Sequence, residues 1–235
     1  MAGISAATLK ALAGLDTPTV CNALELVAPE RRALGFTVEP PVCARTDLPA
    51  IVGFARTATI RAMQPAAAAG AEMRKKRLAS YEYVEKVGPA PSIVVIQDLD
   101  GARRGFGAFW GEVNTAIHKG LGCLGCVTDG SIRDLDQIAP GFQLLGDRIG
   151  PSHAHVHLVD FGGQVNVAGM QVKDGDLLHA DRHGAVVVPH AVSDKVAGAA
   201  ALLEKREAVI LDAARKPGFG VEILARAMEN ADEIH

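Results

Sequence analysis

The sequence predicts an α/β protein: a single-domain layered α/β sandwich with C-terminal helices. Three observations predict it. Helix-like and strand-like stretches alternate through the first 130 residues. A strand-rich half follows from Phe142 to Pro189, cut by Gly and Asp turns, and the segment from Ser193 to about Glu233 reads as two helices divided by "KPGFG". Composition agrees, because 49% apolar but only 4% aromatic residues require a core of Ala, Val, Leu and Ile, which suits close packing of helix on sheet. No repeat or linker-like break divides the chain, so residues 1–235 are expected to form one domain.

Each element follows from pattern and punctuation. "SAATLKALAGL" opens a helix, "DTPT" turns, and "VCNALEL" forms a second helix before a Pro-rich loop from Pro29 to Pro49. "IVGFARTATI" is a strand. A helix then runs from "PAAAAGAEM" to "RLASYEYVEKV", where "GPAP" stops it, and "SIVVIQDL" is a short β-branched run of a buried strand. "FWGEVNTAIHK" places Trp110, Val113 and Ile117 at helical spacing, with Gly120 as the stop. "CLGCVTDG" returns as a strand ending in an Asp-Gly turn, "SIRDLDQI" is a short helix, and strands follow at "FQLLG", "HVHLVDF", "QVNVAG", "GDLLHAD" and "GAVVVP".

Several function classes are excluded. A net charge of −3 leaves no electrostatic footprint for nucleic acid, and the basic cluster Arg74 to Arg77 reads as a solvated helix face. No run reaches the roughly 18 apolar residues of a membrane span and no signal peptide opens the chain, so a cytoplasmic protein with no membrane partner is expected. Four irregularly spaced cysteines form no disulfide framework.

Gly120, Gly122 and Gly125 spell G-x-G-x-x-G, but a dinucleotide loop needs strand, turn, then helix. Here helix precedes strand, so the loop presents carbonyls that repel phosphate. Cys123 and Cys126 are expected on opposite faces of that strand as buried small hydrophobes.

The chemistry is expected at the other ends. If helix and strand are antiparallel neighbours, Gly111 and Glu112 meet the segment Asp129 to Asp134 at one edge. Free N–H groups of Glu112, Val113 and Asn114 then make an anion site for a small carboxylate, and Arg133 can clamp it in bidentate fashion. Asp134 and Glu112 supply hard oxygen ligands suited to Mg²⁺ or Mn²⁺. Spacing alone leaves open the alternative that Arg133 and Asp134 are a surface pair opening a short helix capped by Ser131. His153, His155 and His157 would share one strand face, as a metal ridge, a pocket wall or a subunit contact.

"FWGEVNTAIHKGLGCLGCVTDGSIRDLDQI" together with "GQVNVAGMQVKDGDLLHADRHGAVVVP" resembles the RraA-like family, which includes 4-hydroxy-4-methyl-2-oxoglutarate aldolases and regulators of ribonuclease activity. The resemblance extends from "TPTVCNAL" to the C-terminal helices. It implies a swivelling β/β/α sandwich, assembled as a homotrimer or homohexamer, with residues 190–235 used in subunit packing. It also implies a divalent-metal lyase that cleaves small 4-hydroxy-2-oxo acids or decarboxylates oxaloacetate through a pyruvate enolate. The family's other activity, a non-catalytic protein-binding regulator, is the alternative. Carried over by residue, Asp134 resembles the direct metal ligand, Glu112 a ligand through water, and Arg133 the substrate clamp and enolate stabiliser. Gly111 to Asn114 would hold the 2-oxo acid, and a neighbouring subunit would contribute Glu207, or else Glu204. The chain departs from the family's aldolases at Gln137, where an acid is usual, and at Asn22 and His183, where aspartate is common.

Overall fold

The computed structural model describes residues 3–39 and 41–234. In chain order its elements are α1 (Ala6–Ala13), α2 (Thr17–Val27), β1 (Val42–Cys43), β2 (Ile51–Arg61), α3 (Gly70–Lys86), β3 (Ser92–Asp98), β4 (Ala108–Trp110), α4 (Glu112–Gly120), β5 (Cys123–Thr128) and β6 (Ser131–Ile132). They continue with β7 (Gln143–Gly146), β8 (Arg148–Ile149), β9 (His157–Phe161), β10 (Val165–Val167), β11 (Met170–Val172), β12 (Leu177–Asp181), β13 (Gly184–Val188), α5 (Val196–Ala214) and α6 (Val221–Asp232).

The main sheet runs β1-β7-β5-β3-β2-β12-β13. Strands β2, β3, β5 and β7 are parallel neighbours, whereas β1, β12 and β13 pair antiparallel at its two sides. At eleven residues β2 is long enough to take two partners along one edge, β12 against Ile51–Phe54 and β9 against Ala58–Arg61. The expectation of a layered α/β architecture holds, and the apolar run in β3 shows why. Val94 and Ile96 enter one core with Trp110, Phe142 and Leu144, while Ile93 and Val95 enter another with Val165, Met170 and Leu178. A strand covered on both faces has no solvent side to alternate toward.

Helices α1 and α2 begin on side-chain caps: the Ser5 hydroxyl accepts the Thr8 N–H, and the Asp16 carboxylate accepts the Thr19 N–H at 2.9 Å. They pack with α5 over Val52, Phe54, Leu177 and Val188. Helix α6 folds back on α5 and buries Ala227 and Ala231. No helix among the described residues is long and apolar enough to cross a membrane.

The structure corrects several local expectations. Helix α3 starts at Gly70, because the Ala-rich stretch before it turns through bends along a cavity wall, where tertiary packing overrides helix propensity. Trp110 belongs to β4 and not to the helix, so the apolar spacing beginning there misassigns the buried face. Helix α4 buries Asn114, Thr115 and His118 and leaves Val113 67% exposed. Gly120 is its last residue, and Gly122 supplies the left-handed turn at φ 84°. "SIRDLDQI" is not one short helix but the strand β6, a left-handed Asp134, and a single 3-10 turn at Leu135–Gln137.

Cys123 and Cys126 point into the same core, against the expectation of opposite faces. The register slips between Ser92 and Ile93, which pair with Cys123 and Gly125, so Leu124 is an extra residue that resets the alternation. Burial pushes both thiols above the usual range, as expected of inert small hydrophobes. The histidine ridge does not form. His153 and His155 lie in a turn with Ala154 at φ 47°, and only His157 is in β9.

Candidate active site at the head of helix α4

Two short parallel strands build the site. Strand β4 runs straight into Gly111 and α4, and β6 runs straight into Arg133 and Asp134. Because Trp110 pairs with Ile132, with the Arg133 N–H donating to the Trp110 carbonyl at 2.9 Å, the two exits lie side by side. The contact is close enough that a Cβ on Gly111 would sit 2.4 Å from Asp134 Oδ2 and 3.1 Å from Arg133 Cγ. Only glycine lets this backbone approach that carboxylate. Asp134 itself adopts φ 53°, ψ 44°, a left-handed conformation that aspartate tolerates better than most residues.

Asp134 Oδ2 accepts the Glu112 N–H at 3.2 Å, so the carboxylate caps the positive end of α4. One of the three amides expected to be free is therefore engaged. Those of Val113 and Asn114 have no hydrogen-bond partner among the described residues. Arg133 approaches Asp134 only through Nε, at 3.6 Å, longer than a hydrogen bond, and both side chains are about a third exposed. Asp134 thus leaves the guanidinium fork open toward the cavity, which Arg133 lines. Of the surface-pair alternative only the Ser131 cap fails, since Ser131 is buried within β6; Arg133 and Asp134 do form a partly exposed pair ahead of the 3-10 turn Leu135–Gln137.

Among the described residues, no three His, Cys, Asp or Glu side chains converge as a metal cage. The donor set is carboxylate only: Asp134, with the exposed Glu112 next to the residue it abuts. Such a set fits Mg²⁺ or Mn²⁺, which retain several waters and bind through one or two carboxylates, and does not fit a closed zinc site.

The site opens into a cavity of about 750 Å³. Its apolar wall includes Met73, Phe109, Val113, Val156 and Leu158. Its charge is cationic: Arg74, Lys76, Arg77 and Arg133 against the single acid Glu72, with His153 and His157 at the wall. The pocket-wall reading of these two histidines holds. Arg77 is tied to the site, donating to Asn114 Oδ1 at 3.1 Å and to the Tyr81 hydroxyl at 2.9 Å. The Asn114 amide in turn donates to the Phe109 carbonyl, which fixes the first turn of α4.

Two buried carboxylates lie at the ends of β3 and β5. The Asp98 N–H donates to Asp129 Oδ1 at 2.7 Å, while Asp98 accepts the N–H groups of Asp100 and Gly105. Burial raises the Asp129 carboxyl to about 6 and raises Asp98 as well. Burial also holds His118 at about 4, hence neutral, with its ring 4.6 Å from that of Trp110.

The structure therefore brings together Gly111, Glu112, Val113, Asn114, Arg133 and Asp134. It does not bring Glu207 among them, which is exposed on α5, nor Glu204. Lys119 lies at the far end of α4, bonded to the Gly141 carbonyl. Arg74, Lys76 and Arg77 are exposed, as expected of a solvated helix face, and they also line the cavity, which the sequence did not show.

The comparisons agree with this architecture. A family model described as RraA-like, Aldolase/RraA, matches residues 17–187. A crystal structure of an uncharacterized protein from Pseudomonas syringae pv. tomato superposes with a TM-score of 0.69 at 22% identity, covering 97% of this chain and 99% of that one. A structure described among novel cellulases from gut-associated microbes gives 0.70 at 21% identity over 88% and 89%. Streptomyces coelicolor RraAS2, described as an unusual member of the RNase ES inhibitor RraA family, gives 0.67 at 22% over 88% and 97%. At these identities the likeness is one of fold. Among curated proteins none matches the chain. The family match spans most of the chain and the fold agrees with it, so the chain belongs to the RraA-like family of aldolases and RNase inhibitors.

Proposed function

We propose that the protein is a divalent-metal-dependent lyase that cleaves small 4-hydroxy-2-oxo acids, or decarboxylates oxaloacetate, through a pyruvate enolate. The observation that carries this reading is the junction at Gly111, which sets the Asp134 carboxylate beside Arg133 and the head of α4, while Arg133, Val113 and Asn114 line the cavity. Cleaving the bond next to a 2-oxo acid leaves an enolate oxyanion, which needs fixed positive charge placed before the reaction. Arg133 is the residue that supplies it, through a planar fork that spans a carboxylate oxygen and the enolate oxygen together. The Val113 and Asn114 amides orient the substrate carboxylate. Asp134, with Glu112 through water, would hold Mg²⁺ or Mn²⁺, which when bound acts as a Lewis acid on the 2-oxo group. The reading uses no Schiff-base lysine, and Lys119 lies at the far end of its helix.

The reading extends to a homotrimer or homohexamer in which residues 190–235 pack against a neighbour and Glu207 enters that neighbour's site. Exposed Phe219, Val221, Ile223 and Met228 along and before α6 support a packing role for this segment. The family's RNase inhibitors supply the second reading, a protein-binding regulator without turnover. A screen for pyruvate release from oxaloacetate and 4-hydroxy-2-oxo acids separates the two. The lyase reading expects release that stops in EDTA and returns with Mg²⁺ or Mn²⁺; release unaffected by EDTA, or none at all, rejects it.

A further inference from the structure

We propose that Arg77, flanked by Arg74 and Lys76, is a second anion clamp in the same cavity, selecting an elongated 2-oxo acid with an apolar middle and a second anionic group. This rests on the lyase reading for the identity of the head group. The clamp is a specificity determinant and not part of the bond-breaking machinery.

Size is the first argument. A cavity of about 750 Å³ lies in the range that encloses a drug-sized ligand, whereas pyruvate has six non-hydrogen atoms and fills a small part of it. Charge is the second. Three cations from one face of α3 reach a wall that offers one acid, Glu72, and the ion pair of this helix lies farther along, between Glu82 and Lys86. Among the described residues no carboxylate lies within 4 Å of Arg74, Lys76 or Arg77.

Preorganisation is the third. Arg77 is exposed but its head is held: its Nε donates to the Tyr81 hydroxyl, one terminal nitrogen donates to Asn114 Oδ1, and its guanidinium carbon lies 5.8 Å from the Phe109 ring centre and 6.0 Å from that of Tyr81. All these partners are neutral. They fix the fork without cancelling its charge, which leaves it ready for a carboxylate or phosphate. The Lys76 ammonium is likewise pinned to a neutral acceptor, the Val159 carbonyl, at 2.8 Å. The same cavity wall carries apolar Met73, Phe109, Val156 and Leu158, with Val113 exposed on the first turn of α4. A ligand that satisfies the whole cavity carries anionic groups and an apolar body.

The test is calorimetric binding to the full chain in Mg²⁺, comparing 2-oxo-octanedioate with 2-oxo-octanoate, which share a head and a length but differ in the terminal anion. A phosphonate-ended analogue of that length tells a carboxylate site from a phosphate site, and oxalate reports the head alone. The diacid should bind at least tenfold tighter than the monoacid, the advantage should shrink with salt, and Arg77→Gln should bring the ratio close to one. Because the ratio compares ligands on the same variant, a general loosening of α4 cancels. If Arg77→Gln does not fold, the exposed pair Arg74→Gln and Lys76→Gln should still lower the ratio severalfold. No diacid preference, or a preference that persists in folded Arg77→Gln, overturns the clamp. The two readings fail separately. Metal-dependent pyruvate release without a diacid preference removes the clamp alone, and a diacid preference abolished by Arg77→Gln without any pyruvate release removes the lyase and keeps the clamp.

Discussion

Replacing Gly111 by alanine should disable the site while leaving the fold intact, and the structure says by how much. The backbone at Gly111 is extended (φ −166°), a conformation any residue adopts, so the substitution brings no backbone strain. Its whole effect is steric. A methyl group there meets Asp134 Oδ2 at 2.4 Å and Asp134 Cγ at 3.2 Å, and the carboxylate must retreat by about 1 Å to reach an ordinary contact of 3.4 Å. That retreat breaks the Glu112 N–H bond to Asp134, worth about 1.5–3 kcal/mol for a charged acceptor, less here because the pair is partly exposed. Thermal stability should therefore fall by only a few degrees. Displacing a reacting group by about 1 Å costs on the order of 100-fold in turnover, and the same shift should weaken Mn²⁺ binding more than tenfold. Mn²⁺ titration by electron paramagnetic resonance, with a melting curve and a pyruvate-release assay on the same sample, reads all three. Gly111→Ala with metal affinity and turnover within twofold of wild type would refute the claim that this junction is the site.

Other substitutions separate the roles. Arg133→Lys keeps the charge and loses the fork, so kcat should drop well over tenfold, the equivalent of about 2–4 kcal/mol, with metal affinity and melting temperature nearly unchanged. Asp134→Asn should lose metal binding and turnover together while remaining folded, since an amide oxygen can still accept the Glu112 N–H; unfolding would favour a structural role. Asp129→Asn probes the buried acid. Its folded carboxyl is raised to about 6 from an ordinary 3.8, so its contribution to stability is complete below pH 3.8 and is lost as pH rises through about 6. That shift corresponds to about 3 kcal/mol at most, so Asp129→Asn should be more stable than wild type at pH 8 by about 1–3 kcal/mol, with the advantage gone at pH 4. His118 acts with the opposite sign, losing stability as pH falls from 6.5 through about 4, so only the difference between variant and wild-type curves isolates Asp129.

Much of this was legible in the chain because periodicity and punctuation are local. The strand in "SIVVIQDL", five of the seven strands after Phe142 and the two closing helices appear near where pattern places them, while the short β8 and β11 were not read. The convergence of Gly111 with Asp134 was legible too, since a helix and its following strand return to one edge. What failed depends on pairing. The bulge at Leu124 that turns Cys123 and Cys126 to one side is set by β3, and the short strands β4, β6 and β8 exist only as partners of one another. The histidines at 153 and 155 alternate in sequence but occupy a turn, because β9 begins only where β2 is there to receive it. The basic run on α3 is exposed as read, but its place on a cavity wall was not legible for a similar reason. A helix face is solvated or functional according to what lies across from it, and here that is the head of α4.

The central claim is that Arg133 and a divalent ion held at Asp134 stabilise a pyruvate enolate. Exchange of the pyruvate methyl protons in D₂O, followed by proton NMR, tests this without knowledge of the natural substrate. The wild-type protein should speed exchange well above the buffer rate with Mg²⁺ or Mn²⁺, lose that acceleration in EDTA, and lose most of it in Arg133→Lys with metal present. Exchange at the buffer rate with metal bound, or acceleration that survives both EDTA and Arg133→Lys, would contradict it.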